Sequence, residues 1–532
     1  MKIRFTDHAP RLSDTDSHRA HAAGLPNLPQ RLLDRHRARV LRPGEAPVAA
    51  GMASPGSTIY RYDRVLLCHR LLADDALMAD VDNALGEIGV RLDHDAIART
   101  DACRPHPVAL RLTDEAAPGT VDAWAALQTL HGAVSAGRCA TEITGRVRLD
   151  HLMVGSALTG VGMYGTGDDS GGWPNGSGPY VEQSTLSSGY LNRMPVEVIA
   201  PMPPRRERGA LPGNRRPVIA VLDTGIVDGH PAFDVSDRAC ARDTFVVVDE
   251  ELQDILEAIA DPQSPVLHGT RDDPGVPGSL LGDLASHYGH GTFIAGIIRQ
   301  LAPDAQVRSI RVMHNDGLVY ENECVTALTT IADEVARARD GDPTAEPVDI
   351  VSLSFGYADE TPGDVPEGGL AAVIRRLTGL GVPVVCAAGN FASDRPFYPA
   401  AFAATPGDGP PSAPVLSVGA LNPNGTVAMF SNAGPWVACY ATGAGLVSTV
   451  PYGVDGATGP AREVVGAGDP RESLDPDDFA TGFAVWSGTS FAAPAVAARI
   501  ASAMLDSGLS LGRHDLDAAA HRVRDAIKTI SG

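Results

Sequence analysis

Pro217-Val218-Ile219-Ala220-Val221-Leu222-Asp223-Thr224-Gly225 is the stretch on which the fold turns. Its apolar run, rich in β-branched side chains, reads as a strand buried on both faces of a parallel sheet, where alternation with polar residues is not required. Strand-like runs recur at Val307 to Met313, Val348 to Phe355, Val382 to Ala387 and Val415 to Val418. Between them lie helical patterns at Glu321 to Arg339, at Gly368 to Leu380 and from Ser490 onward. This alternation predicts an α/β domain over residues 216–532, a doubly wound, mainly parallel sheet flanked by helices. In such sheets the reactive groups gather at the carboxyl ends of the strands.

Asp223 is placed at such an end, and Gly225 permits the turn that follows. An acid there is also a common turn or capping residue, so its partners decide its role. His290, in Ser286-His287-Tyr288-Gly289-His290-Gly291-Thr292, stands between two glycines at the start of an apolar helical pattern. His287 is its rival; it lacks the flanking glycines and reads as a surface residue. Asn390 ends the run Val384-Val385-Cys386-Ala387-Ala388-Gly389-Asn390, where an amide is either a turn former or a donor to a developing oxyanion. Ser490, in Gly488-Thr489-Ser490-Phe491-Ala492-Ala493-Pro494, precedes a small-residue helical run. Alone it reads as an N-cap, but the unpaired N–H groups of a helix start also favour negative charge beside them. Together the four supply a nucleophile (Ser490), a base (His290), an acid that orients the base (Asp223) and an oxyanion donor (Asn390).

Four stretches, Val221-Leu222-Asp223-Thr224-Gly225, Gly289-His290-Gly291-Thr292, Ala387-Ala388-Gly389-Asn390 and Gly488 to Pro494, occur in the order and context of the subtilisin family. The resemblance covers roughly residues 216 to 510 and implies a serine endopeptidase working through an acyl-enzyme. It further implies that Ser352-Leu353-Ser354-Phe355-Gly356 is the edge along which a substrate backbone pairs as an added strand. Phe397-Tyr398-Pro399-Ala400 is similar to the family's segment after the oxyanion asparagine. No metal ligand set is read. The chemistry requires no cofactor, although relatives bind calcium and the acidic stretches here offer oxygen ligands without a twelve-residue loop signature. Two alternatives keep the resemblance: a narrow-specificity intracellular processing protease, and a peptide-binding pseudo-enzyme. An esterase is disfavoured because the serine lacks the Gly-x-Ser-x-Gly context.

Upstream, residues 58–154 read as β-α-β-β-α-β, the order of a small α+β ferredoxin-like domain. Its strands are Arg64 to Leu71, Val90 to Leu92, His106 to Leu112 and Arg146 to Leu149, and its helices Asp75 to Ile88 and Thr120 to His131. By position the family resemblance implies a propeptide-type domain, an intramolecular inhibitor or folding aid. About 60 residues of linker before residue 216 depart from the family pattern and leave three fates open: cleavage, retention as a clamp, or use in recognition. Residues 1–57 lack periodicity and read as a mobile arm. Residues 155–215 are rich in Gly, Ser and Pro and read as a linker, ending in the basic cluster Arg205, Arg206 and Arg208 and then Arg215 and Arg216, which reads first as a solvated connector and second as an exposed site for nicking.

The chain of 532 residues is 44% hydrophobic, enough for more than one core. A formal charge of -22 argues against nucleic acid as a partner, which leaves polypeptide substrate and the chain's own N-terminal domain. The acidic stretches Asp249 to Asp261 and Gly468 to Phe479 are either solvated loops or walls that steer basic substrates. Seven scattered cysteines without a C-x-x-C pair suggest reduced thiols rather than zinc or disulfides. Met1 to Leu25 holds charged residues where a secretory signal needs an apolar core, and no run is long enough to span a membrane, so a cytoplasmic location is expected.

Overall fold

Val218–Asp223 lies inside a nine-stranded sheet in the computed structural model of the chain. All residues are described except 12–27, 95–104, 115, 117–120, 159–192, 241–242, 276–279, 362–368, 406–411, 467, 470, 508–515 and 532. The sheet runs in the order 3–5, 439–442, 415–421, 384–387, 350–353, 218–223, 306–311, 246–248, 235–237. Every neighbouring pair is parallel except the first. The expected doubly wound architecture is therefore present. Two cores lie on its two faces. On one, the helices His290–Leu301 and Thr489–Asp506 pack through Phe293, Phe491 and Trp486. On the other, Glu321–Arg339 and Gly369–Gly379 pack over Leu222, Val351 and Cys386. Alanine at 492, 493, 495, 497 and 498, all fully buried, lets the serine helix approach the sheet closely. No helix among the described residues is long and apolar enough to cross a membrane.

The upstream segment forms a second layer. Thr58–Leu67, Asp75–Gly86, Val90–Leu92, His106–Leu112, Ala123–Ser135 and Val147–Gly155 follow in the expected β-α-β-β-α-β order. Their antiparallel sheet places the fourth strand beside the first, then the third and second. The first strand stops at Leu67, short of the expected Leu71, because His69–Leu72 turns into a helix. Asp74 and Asp122 cap the two main helices by accepting from the backbone N–H groups of Ala76 and Leu77, and of Trp124 and Ala125. One face of the sheet and both helices close a core around Leu67, Val81, Trp124 and Leu149.

Two expectations for the flanking segments are corrected. The first 57 residues are not simply an arm: Ile3–Phe5 joins the central sheet against Cys439–Ala441, and Ala38–Leu41 pairs with Thr58–Arg61. The basic cluster before the Val218–Asp223 strand is pinned rather than loose. The Arg205 guanidinium donates to the carbonyls of Pro303, Asp243, Thr244 and Ala305. Arg206 pairs with Asp304, and buried Arg216 pairs with Asp243. Most of the expected linker, residues 159–192, lies outside the described residues.

The two layers meet along a seam of buried charge. Arg61 sits 4.3 Å from the ring centroid of Tyr320 and pairs with Asp150 and Asp261. His36 bridges Tyr320 Oη and Asp316, each at 2.8 Å. Buried ion pairs add little net stability, but removing one partner costs about 3–5 kcal/mol, so such a seam fixes one docking geometry.

Candidate active site

Asp223, His290, Asn390 and Ser490 come from a strand end, a helix start, a strand-following turn and a second helix start, and they converge under the Val147–Gly155 strand. All four are buried. Asp223 Oδ1 accepts the Thr224 N–H at 2.8 Å and lies 2.7 Å from His290 Nδ1, which orients the ring and leaves Nε2 for proton transfer. The glycines beside His290 are required by space and backbone. Gly289 has φ +82°, and a Cβ on Gly291 would stand 2.2 Å from the Gly225 carbonyl oxygen.

A carboxyl group that the sequence reading missed holds this loop. Asp272 Oδ2 accepts from the Gly289 N–H and the Thr224 hydroxyl, both at 2.8 Å, and the Thr224 hydroxyl oxygen accepts the Gly291 N–H at 3.1 Å. Burial pushes Asp272 up to about 7, against the pull of those hydrogen bonds. His287 is also corrected: it is buried, not on the surface, and its ring lies edge-on to His290 at 5.5 Å. Burial and the neighbouring His290 push it down to about 3, so it stays neutral.

Asn390 faces two ways. Its Oδ1 accepts from the Thr489 N–H at 2.9 Å and the Thr489 hydroxyl at 2.8 Å, locking the amide so that Nδ2 faces the cleft. Nδ2 donates to the carbonyl oxygen of Ser156 at 2.5 Å, and the Ser490 backbone N–H donates to the same oxygen at 3.0 Å. The chain's own Ser156 carbonyl thus lies where an oxyanion would form. Gly488 makes the approach possible, since a Cβ there would meet Ser156 O at 2.5 Å and Ala157 Cα at 2.9 Å.

Residues 152–158 run through the cleft as a bound strand would. Leu152, Met153 and Val154 pair antiparallel with Tyr320, Val319 and Leu318. On the other side Val154 and Gly155 pair antiparallel with Gly356 and Phe355. Ser156 N–H donates to Ser354 O at 2.9 Å, Gly155 N–H to Gly317 O at 2.7 Å, and beyond the turn Leu158 N–H to Ser487 O at 3.0 Å. Of the five residues expected to line substrate, Ser354, Phe355 and Gly356 contact this strand. Ser352 and Leu353 do not: they lie in the buried central sheet, paired with Val385 and Cys386.

Ser490 Oγ donates to the Ser354 carbonyl at 3.0 Å rather than to His290, whose Nε2 is buried without a hydrogen bond. The serine helix carries Pro494, which has no N–H to offer the carbonyl four residues earlier. That carbonyl, on Ser490, accepts the Ser354 hydroxyl at 2.9 Å instead. The pair Ser354 and Ser490 is therefore tied by two reciprocal hydrogen bonds.

Two groups among the described residues bring potential metal ligands within 4.8 Å of one another: His151 with Asp359 and Glu360, and Asp455 with Asp475 and Asp477. In the first, both imidazole nitrogens of His151 are taken by carboxylates. The second offers only oxygens, and Asp477 Oδ1 is buried without a partner, a donor set that suits a hard cation such as calcium.

Residues 214–528 match the model of the subtilase family. A thermophilic serine proteinase of Bacillus sp. (strain AK1) is 28% identical over 232 residues, 44% of this chain and 45% of its own. An intracellular serine protease of Paenibacillus polymyxa is 27% identical over 250 residues, 44% of this chain and 59% of its own. The chain thus spans about half the length of these relatives. A solved cold-adapted subtilisin-like serine proteinase aligns at 18% identity and a TM-score of 0.36, covering 62% of this chain and 88% of that one. With more than half of its length matched by the family model, and with aspartate, histidine, asparagine and serine converging as described, the chain belongs to the subtilase family.

Proposed function

We propose that the protein is a serine endopeptidase acting through an acyl-enzyme, and that its N-terminal domain is a propeptide-type inhibitor held in the cleft. The observation that carries this reading is the Ser156 carbonyl oxygen, bound by Asn390 Nδ2 and the Ser490 N–H. In the reaction Ser490 Oγ attacks the Ser156 carbonyl carbon while His290 Nε2 takes its proton, and Asp223 stabilises the imidazolium. The oxyanion gathers on the two donors already in place. His290 returns the proton to the Ala157 nitrogen as the Ser156–Ala157 bond breaks, and water then hydrolyses the Ser490 ester.

Before cleavage the same segment blocks the cleft, so the uncut chain behaves as a zymogen. Its substrates are polypeptides that enter as extended strands between residues 318–320 and 354–356. No cofactor enters the chemistry. A structural calcium ion would take Asp455, Asp475 and Asp477. The six described cysteines are free thiols, which supports the cytoplasmic location expected from the sequence.

The test combines intact-mass analysis with a fluorophosphonate probe. The wild-type chain should split between Ser156 and Ala157 and take the label at Ser490 once the 1–156 piece has dissociated. Ser490→Ala should remain whole and unlabelled. An Ala variant that still splits at this bond would sink the assignment.

A further inference from the structure

Five residues before Ser156, the cleft strand places His151 in a pocket built by the catalytic domain. Its Nδ1 lies 2.7 Å from Glu321 Oε2, and its Nε2 lies 2.7 Å from Glu360 Oε2. The ring stacks on Tyr357 with centroids 4.2 Å apart and planes 20° from parallel. Asp359 stands beside Glu360, with an oxygen within 4.8 Å of the His151 and Glu360 donors. The Tyr357 hydroxyl is buried and has no hydrogen-bond partner. Glu321 is the first residue of its helix, Tyr357 and Glu360 follow the Phe355–Gly356 edge, and none of them belongs to the bound strand.

This arrangement differs from a chance ion pair on a surface. Both carboxylates are nearly enclosed, with side chains 2% and 11% exposed, and each aims an oxygen at the same guest. Without a cation there, two buried carboxylates would face each other across a pocket floored by an aromatic ring. The aromatic face adds its own attraction for a planar cation. Burial alone would lower the His151 pKa, but Glu360 and Glu321 outweigh it and push it up to about 10, so the guest is an imidazolium.

We infer that Glu321, Glu360 and Tyr357 form a subsite that selects polypeptide substrates with a basic side chain, His or Arg, at the sixth position before the cut. His151 is the occupant supplied in cis. The inference rests on the peptidase reading above and adds a substrate class to it. The fixed antiparallel pairing of residues 152–154 with 318–320 sets the distance from the cut to this pocket, so the rule is positional. A neutral residue there leaves Glu321 and Glu360 without the cation that bridges them, their remaining positive neighbours being Arg148 and Arg395, and an acidic one adds a further carboxylate beside Asp359.

The test uses the full chain after its own cleavage is complete and the 1–156 piece has been separated from it by gel filtration at pH 10, with the peptides then assayed at pH 7. Four internally quenched octapeptides, X-Leu-Met-Val-Gly-Ser-Ala-Leu with X as His, Arg, Ala or Glu, are compared by kcat/KM. His and Arg should exceed Ala by at least about thirtyfold, with Glu slowest. Glu360→Gln should shrink the Arg-to-Ala ratio severalfold, and the wild-type series stands as a test even if that variant fails to fold. Cleavage of all four at equal rates would overturn the subsite while leaving the peptidase reading intact. Cleavage of none, with Ser490 unlabelled by fluorophosphonate, would overturn the peptidase reading and the subsite with it.

Discussion

Gly155→Ala is a one-carbon perturbation with a calculable consequence. Gly155 does not occupy the left-handed region, so the new side chain brings contact without backbone strain. Its Cβ would lie 3.0 Å from His287 Nε2, 3.1 Å from His287 Cδ2 and 3.2 Å from Met313 Cε, each closer than ordinary contact. The ring cannot simply retreat, because it already fills the space over Gly317, where a Cβ would come within 2.2 Å of it. Overpacking of this kind costs about 1–3 kcal/mol. That corresponds to roughly 5- to 150-fold slower cleavage of the Ser156–Ala157 bond, since the strand must seat before Ser490 attacks. The assay is the rate at which the 1–156 fragment appears by mass spectrometry after refolding. His287→Ala should remove the obstacle and restore the rate of Gly155→Ala, giving a coupling energy of about 1 kcal/mol or more in the double-mutant cycle. If Gly155→Ala splits as fast as wild type, or if the two substitutions are additive, the second position before the cut is not closed by His287.

Asn390→Asp keeps the acceptor for Thr489 but loses the N–H donor to Ser156 O, so it should lower the rate constant of self-cleavage about 10²- to 10³-fold; a near-wild-type rate would remove Asn390 from the reaction. Docking of the cleaved N-terminal fragment should weaken with rising pH. Burial pushes Asp150 and Asp359 up to about 6 and Glu323 up to about 8, while His151, lowered by burial but raised more by Glu360 and Glu321, reaches about 10. Each raised group holds its proton more tightly in the docked state, so docking is fullest below its undocked pKa and is lost as pH rises through the raised value. Fragment dissociation measured by gel filtration should therefore be slower at pH 6 than at pH 10; the reverse order would contradict the seam's electrostatics. Calcium at about 100 times its dissociation constant should stabilise the chain by about 2.7 kcal/mol, read as a higher Tm than in chelator. Asp477→Asn should abolish that difference, and an unchanged Tm in the wild type would exclude the Asp455, Asp475 and Asp477 site.

The proposed catalytic constellation was legible because each member is marked locally. Asp223 ends an apolar strand, His290 stands between glycines, and Ser490 precedes a run of small residues. What decides the state of the site was not legible, because it is made by main chain meeting main chain. Ser156 and Gly155 have no distinctive side chains, and their place in the cleft comes from pairing with residues 318–320 and 355–356, far along the sequence. The burial of His287 depends on space left by Gly317, and the rigidity of Arg205 on carbonyls near residues 243 and 303. Ile3–Phe5 is too short to show a period, and its partner strand lies more than four hundred residues away.

That short N-terminal strand changes what a single cut achieves. Beyond its pairing with Cys439–Ala441, Thr6 N–H donates to Ala438 O and Arg11 N–H to Pro435 O, so the grip extends from Lys2 to Arg11. Hydrolysis after Ser156 leaves the 1–156 piece held at two separate places, the cleft and the far edge of the central sheet. Bivalent attachment makes rebinding at either place intramolecular, at an effective concentration well above that of a free inhibitor. Under the proposed function, proteolysis alone would nick the molecule without emptying its cleft, and activation would become a dissociation problem in which both handholds must let go together.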